Sequence, residues 1–212
     1  MKVAVSILSI KENIKEAIAK LDNTCVDYIH LDIMDGIFVE NKTWNIDEIN
    51  TLVNDTKKSK DVHLMVQDLD KYIKDFSSLN PKFITFHCEA TNDIMKYIHL
   101  LHDKKIGIGL SIKPSTDVSV LKPYLPYLDL VLVMSVEPGA GGQKFMESSL
   151  KKIEKLKELR IQDNYHYLIE VDGGINEETI SLVKEAGADM VVSGSYITNS
   201  ENYDEKIEIF KK

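Results

Sequence analysis

Short runs of β-branched and other apolar residues alternate with longer amphipathic stretches along the whole chain. The short runs predict strands at about 2–8, 27–34, 61–66, 82–87, 106–111, 129–134, 167–172 and 189–193. Helical patterns fall between them, at about 11–21, 46–58, 68–76, 91–103, 116–122, 146–161, 176–186 and 203–211. The clearest is 146–161, where Leu150, Ile153, Leu156 and Leu159 recur at helical spacing. Asp47, Asn92 and Asn176 are the side chains expected to cap helix N-termini, and Gly187 sits where a helix should stop.

Eight strand-then-helix units follow one another with no linker or low-complexity tract. Strands that read as nearly continuous apolar runs are buried on both faces, which implies a parallel sheet. The expected architecture is therefore α/β, a (β/α)8 TIM barrel forming one domain over residues 1–212. An open doubly wound sheet would carry a glycine-rich turn after its first strand. The chain there reads SILSIKEN, without a glycine.

Composition changes this picture little. Apolar content of 43% and charged content of 28% suit a soluble globular protein. A formal charge of −8 argues against nucleic acid or an anionic membrane as partner. It leaves room for a small anion, which backbone amides can hold without net positive charge. No apolar run approaches the ~20 residues of a membrane span, and the N-terminus lacks a signal-peptide pattern. Cys25 and Cys88, both in apolar segments, are expected as small buried hydrophobes in a cytoplasmic protein.

The candidate chemistry gathers at strand ends. Alternation puts His30, Asp32 and Met34 on one face of the second strand, before the turn at Asp35-Gly36. In a barrel the C-terminal strand ends form the active site. Those ends also carry Ser6, His63, His87, Glu89, Glu170, Asp172 and Ser193. Charges at the opposite ends, Lys2, Asp27 and Asp61, are expected to be solvated. His99 and His102 fall on a surface helix and His166 in a loop. His30, Asp32, His63 and Asp172 make a set suited to a divalent ion such as Zn, Mn or Fe. Polar side chains that merely plug the barrel mouth are the competing reading. Glycine-rich turns at 137–142, 172–174 and 194–195 follow three consecutive strands, a pattern that favours phosphate binding. Met34, Met65 and Met134 are either core filler or an apolar floor beside the ion.

In order along the chain, SILS (6–9), HLDIMDGIFVEN (30–41), VHLMV (62–66), FHCEA (86–90), VLVMSVEPGAGGQKF (131–145), EVDGGIN (170–176) and VSGS (192–195) resemble the ribulose-phosphate 3-epimerase family. The resemblance implies that His30, Asp32, His63 and Asp172 hold one divalent metal ion, Zn, Fe, Mn or Co. Asp32 and Asp172 would be the acid–base pair that inverts C3 of ribulose 5-phosphate through an enediolate. Ser6, His63, Met34, Met65 and Met134 would contact substrate. Gly139, Ala140, Gly141, Gly142, Gly173, Gly174, Gly194 and Ser195 would hold its phosphate. A homo-oligomer, dimer or hexamer, is expected on the same ground. The chain departs from the family pattern at Val5, Lys11, Glu40, Thr43-Trp44 and Ala140. The changes at 40, 44 and 140 fall in loops expected over the substrate. They keep a six-carbon phosphoketose such as allulose 6-phosphate in view as an alternative substrate, and a non-catalytic phosphosugar-binding protein behind it.

Overall fold

The eight apolar runs fold as β1 (Lys2–Ser6), β2 (Tyr28–Met34), β3 (Ser59–Met65), β4 (Phe83–His87), β5 (Gly107–Ile112), β6 (Leu130–Met134), β7 (Leu168–Asp172) and β8 (Met190–Ser193). The structure is a computed structural model and describes residues 1–212. Each strand pairs in parallel with the next, and β8 returns to β1, so the barrel closes and leaves no sheet edge. The register aligns Ser6 with His30, Asp32 with His63, Met34 with Met65 and Met134 with Asp172. Strand pairing alone thus gathers the expected site at one end.

Eight helices accompany the strands: α1 (Ile14–Asp22), α2 (Ile46–Val53), α3 (Leu69–Phe76), α4 (Ile94–Asp103), α5 (Ser148–Gln162), α6 (Ile180–Ala186), α7 (Ser195–Thr198) and α8 (Tyr203–Lys211). Their distribution differs from the sequence expectation in one unit. The stretch expected as a helix at 116–122 forms one short 3-10 turn, Val118–Leu121, and a second follows at Leu125–Tyr127. Pro114, Pro123 and Pro126 bracket it, and a proline both lacks the N–H and clashes within a helix interior. The single turn α7 was too short for periodicity to announce.

The caps shift by a residue or two. Asn45, not Asp47, caps α2: its side chain accepts from the Asp47 and Glu48 amides, and the Glu48 carboxylate takes the Asn45 N–H. Asp93 rather than Asn92 caps α4. Asn176 caps a turn, accepting from the amides of Glu178 and Thr179, and α6 starts beyond it. Gly187 ends α6 at φ 113°, a left-handed position that suits glycine.

Two cores lie on either side of the strand wall. The outer one joins 50 buried residues between strands and helices, among them Ile29, Leu31, Ile33, Ile153, Leu156 and Phe210. At about 1.5–3 kcal/mol for each fully buried large apolar side chain, this ring supplies most of the drive to fold. The inner core is small, with Tyr28, Phe83, Leu130, Leu132, Met190 and Val192 among its members. Around them the barrel interior is polar. His30, Asp61, His63, Thr85, His87, Ser111 and Glu170 are all wholly buried. Gly109 leaves the room this requires, since a Cβ there would lie 2.0 Å from Thr85 Oγ1.

His99, His102 and His166 are exposed, as expected. Both cysteines are free thiols, Cys88 buried and Cys25 half-buried. Burial pushes the Cys88 thiol up to about 12. No helix is long and apolar enough to cross a membrane.

Candidate active site

A cavity of about 620 Å³ opens at the C-terminal ends of the strands. Asp32 and Asp172 stand on its floor with Met34, Met65 and Met134, and Ser6 beside them. Its rim is built by Gly139, Ala140, Gly141 and Gly142 after β6, Gly173 and Gly174 after β7, and Gly194 and Ser195 after β8. His30 and His63 do not line it. They lie just beneath, with no exposed surface, and present one nitrogen each toward the two carboxylates.

Four donor atoms converge there. His30 Nε2 is 3.4 Å from Asp32 Oδ1 and 3.9 Å from Asp172 Oδ2. His63 Nδ1 is 3.2 Å and 3.7 Å from the same two oxygens. His30 Nε2 is buried and without a hydrogen-bond partner. Ligands at ~2.0–2.2 Å around a tetrahedral ion stand about 3.3–3.6 Å apart; the observed 3.2, 3.4, 3.7 and 3.9 Å straddle that range, and two nitrogens with two carboxylate oxygens are a donor set for a divalent ion of the Zn or Fe type.

The supports of these groups explain their placement. His30 Nδ1–H donates to Asp61 Oδ2 at 2.6 Å, which turns Nε2 toward the carboxylates. Asp61 was expected to be solvated and is instead wholly buried. Its position two residues before His63 puts it on the same inward face. Ser6 Oγ donates to Asp32 Oδ2 at 2.6 Å. Asp35, although near the mouth, serves the β2 loop, accepting from the amides of Ile37, Phe38 and Gln67.

Electrostatics separates the two aspartates. Burial would raise Asp32, but the imidazoles of His30 and His63 outweigh it and hold the carboxyl well below its usual range. Burial and the Asp32 charge push Asp172 up to about 6. Burial works against a charged His30, yet Asp32 and Asp61 overcome it and hold the ring well above the usual imidazole value. Below the pair, burial and the charge of Asp61 raise Glu170, whose oxygens have no partner. A divalent ion entering this site must displace the His30 proton at neutral pH, and the Asp172 proton as well below about pH 6. Affinity is therefore expected to rise about tenfold per pH unit above pH 6 and more steeply below it. Isothermal titration with Zn(II) at pH 5.5, 6.5 and 7.5, in buffers of differing ionisation heat, measures both the slope and the protons released.

Two loops meet over the floor. Asn41 Nδ2 donates to the Gly139 carbonyl at 2.8 Å, joining the β2 loop to the β6 loop. Gly139 sits at φ 113° with Val39 so close that a Cβ would lie 2.9 Å from it. Of the three loop positions expected over the substrate, only Ala140 lines the cavity. Glu40 is exposed and Trp44 packs against the outer core. The sequence reading missed Leu8, Val136, Phe145, Thr179 and Tyr196, which complete the wall. Leu8, Val136 and Phe145 lie within the motifs quoted above, whereas Thr179 and Tyr196 carried no such signal.

Fold and site together give a (β/α)8 barrel with paired carboxylates over buried imidazoles and glycine turns at the rim of one cavity. A sequence model of the ribulose-phosphate 3-epimerase family matches residues 2–198. The ribulose-phosphate 3-epimerase of Treponema pallidum is 40% identical over 179 residues, covering 84% of this chain and 82% of that one. That of Helicobacter pylori strain J99 is 38% identical over 210 residues, covering 99% and 95%. Among solved structures, a 3-hexulose-6-phosphate synthase superposes with a TM-score of 0.67 at 16% identity, covering 100% of this chain and 98% of that one, a likeness of fold. The chain belongs to the ribulose-phosphate 3-epimerase family and is an isomerase.

Proposed function

We propose that the protein interconverts D-ribulose 5-phosphate and D-xylulose 5-phosphate, with Asp32 and Asp172 exchanging the C3 proton. The observation that carries this reading is the meeting of two carboxylates in unlike surroundings, from β2 and β7, on the floor of one cavity in a chain of this family. A C–H beside a ketone is too weakly acidic for a lone carboxylate. The reaction needs a positioned base and stabilisation of the charge that grows on the enediolate oxygens. A divalent ion held by His30, Asp32, His63 and Asp172 would supply Lewis-acid stabilisation of that charge.

The chain's own groups do the rest. Inversion requires the proton to leave one face of C3 and return to the other, and carboxylates from two strands can serve both faces. Asp32 is fixed by Ser6, whereas Asp172 meets the imidazoles only at 3.7 Å and 3.9 Å and keeps more freedom to take and give a proton. Met34, Met65 and Met134 wall the reacting carbons with apolar, polarisable surface and keep water from them. Amides of the glycine turns at 139–142, 173–174 and 194–195 would anchor the phosphate. The six-carbon alternative drew on Glu40, Trp44 and Ala140, and two of those three do not reach the cavity.

The test is NMR of the protein with ribulose 5-phosphate in D2O, loaded in turn with Zn, Fe, Mn and Co. Deuterium is expected at C3 as xylulose 5-phosphate forms. Absence of exchange with every ion, against turnover of allulose 6-phosphate run alongside, would refute the pentose assignment.

A further inference from the structure

We propose that His87 and Glu89 form, with His63, a proton relay that sets the tautomer of His63 and so frees its Nδ1 for the ion. This rests on reading the four-residue cluster as a metal centre. His87 ends β4 and Glu89 follows in a 3-10 turn at Cys88–Ala90. His63 Nε2 and His87 Nε2 are 2.9 Å apart, and His87 Nδ1 is 3.3 Å from Glu89 Oε2. Both rings are wholly buried, and Phe38 covers His87 at a ring separation of 5.0 Å.

The chain of contacts runs Asp32, His63, His87, Glu89, with a carboxylate at each end. With one proton on each ring, two protons serve its three gaps. The gap between the two Nε2 atoms must hold one proton, because two would clash and none would set two lone pairs face to face. Two arrangements remain. In one, His63 Nδ1–H points to Asp32 and His87 Nε2–H to His63. In the other, His63 Nε2–H donates to His87 and His87 Nδ1–H donates to Glu89. Only the second leaves a lone pair on His63 Nδ1, the atom that faces the ion. Glu89 gives the shifted pattern an end point, so His63 can offer Nδ1 while each ring keeps one proton.

Glu89 is itself held for this task. Its Oε1 accepts from the Lys113 amide at 2.9 Å and from Thr116 Oγ1, which leaves Oε2 for His87. The same loop is fixed from its other side by Lys152, whose ammonium donates to the carbonyls of Lys113, Pro114 and Thr116 at 2.9, 2.7 and 2.6 Å. This makes Glu89→Gln a directed test. The backbone N–H of Lys113 requires an acceptor, so the amide oxygen takes the Oε1 place and the NH2 group faces His87 Nδ1. That nitrogen must then accept, His87 carries its proton on Nε2, and His63 is driven to the Nδ1–H form.

The experiment combines tautomers with affinity. In zinc-loaded wild type labelled with 15N-histidine, long-range proton–nitrogen correlations are expected to put the proton on His63 Nε2 and on His87 Nδ1. In metal-free E89Q the His87 proton is expected on Nε2, and zinc affinity, from competition with a chromophoric chelator, is expected to be weaker by about 10- to 100-fold. H87F removes the acceptor at similar volume and is expected to weaken zinc in the same way. Thermal melts of the metal-free variants separate this from unfolding. A zinc-loaded wild type with the His87 proton on Nε2, or folded E89Q and H87F that both bind zinc as wild type does, would overturn the relay. A wild type that takes up no divalent ion would instead overturn the metal centre on which it rests.

Discussion

Asp172→Asn is expected to lower turnover by about 10²–10⁴ while the barrel stays folded. Asparagine keeps the volume of the side chain, and the position is partly exposed at the cavity floor, so packing changes little. It cannot take up a proton, and it brings no charge to the ligand set. These two losses are separable. If Asp172 is an acid–base group, the variant should still exchange the C3 hydrogen of one of the two epimers with D2O, from the face served by Asp32, while inversion is lost. Equal loss of exchange from both epimers, with a parallel loss of zinc affinity, would assign Asp172 a holding role alone. Following exchange and inversion in the same NMR sample, with metal affinity measured apart, distinguishes the cases.

The largest effect on stability is expected at Asp61. Its carboxylate and the His30 ring are both wholly buried, 2.6 Å apart. Removing one partner of such a pair strands the other charge, at a cost of about 3–5 kcal/mol. Asp61→Ala should fall toward the lower end, because it also relieves Glu170 of a negative neighbour. Asp61→Asn, which still accepts from Nδ1–H, should cost less. The sign with pH follows from the raised value of His30 in the folded state. The contribution of the pair is complete below the unfolded imidazole value and fades as pH climbs through the folded one. Urea unfolding of the metal-free proteins should therefore show the widest gap between wild type and Asp61→Ala at pH 6.5 and below, narrowing at high pH. A gap under about 1 kcal/mol at pH 6.5 would mean that water or rearrangement compensates His30.

How far the sequence carried depends on which side of the strand wall a residue faces. The outward faces are apolar apart from Lys60 and Ser193, so most strand positions and the barrel itself were legible from periodicity. At the mouth, alternation was sufficient to set His30, Asp32 and Met34 on one face. It failed at Asp61 for a definite reason. The polar start of β3, Ser59-Lys60-Asp61, reads as a loop, so the strand was begun two residues late and its first inward residue was placed in solvent. His87 and Glu89 were noticed at a strand end, but the contact of His87 with His63 depends on the register of β3 against β4, which no local pattern encodes. Likewise, Trp44 was assigned to the substrate side because it lies in a loop. Only the folded chain reveals that this loop turns the ring onto the outer core.

The division between an apolar ring outside the strands and a polar shaft within has a consequence for how the chain tolerates change. The outer ring includes none of His30, Asp32, Asp61, His63, His87 and Glu170. Met34, Met65 and Met134 touch the cavity and belong to neither the 50-residue ring nor the ion pairs below it. Under the proposed assignment, substitutions at Met34 and Met65 are expected to change the accepted sugar at less cost to the fold than substitutions in the ring, while Met134 also packs in the inner core. Asp61, Glu170 and His30 offer no such latitude, being wholly buried and clustered against one another.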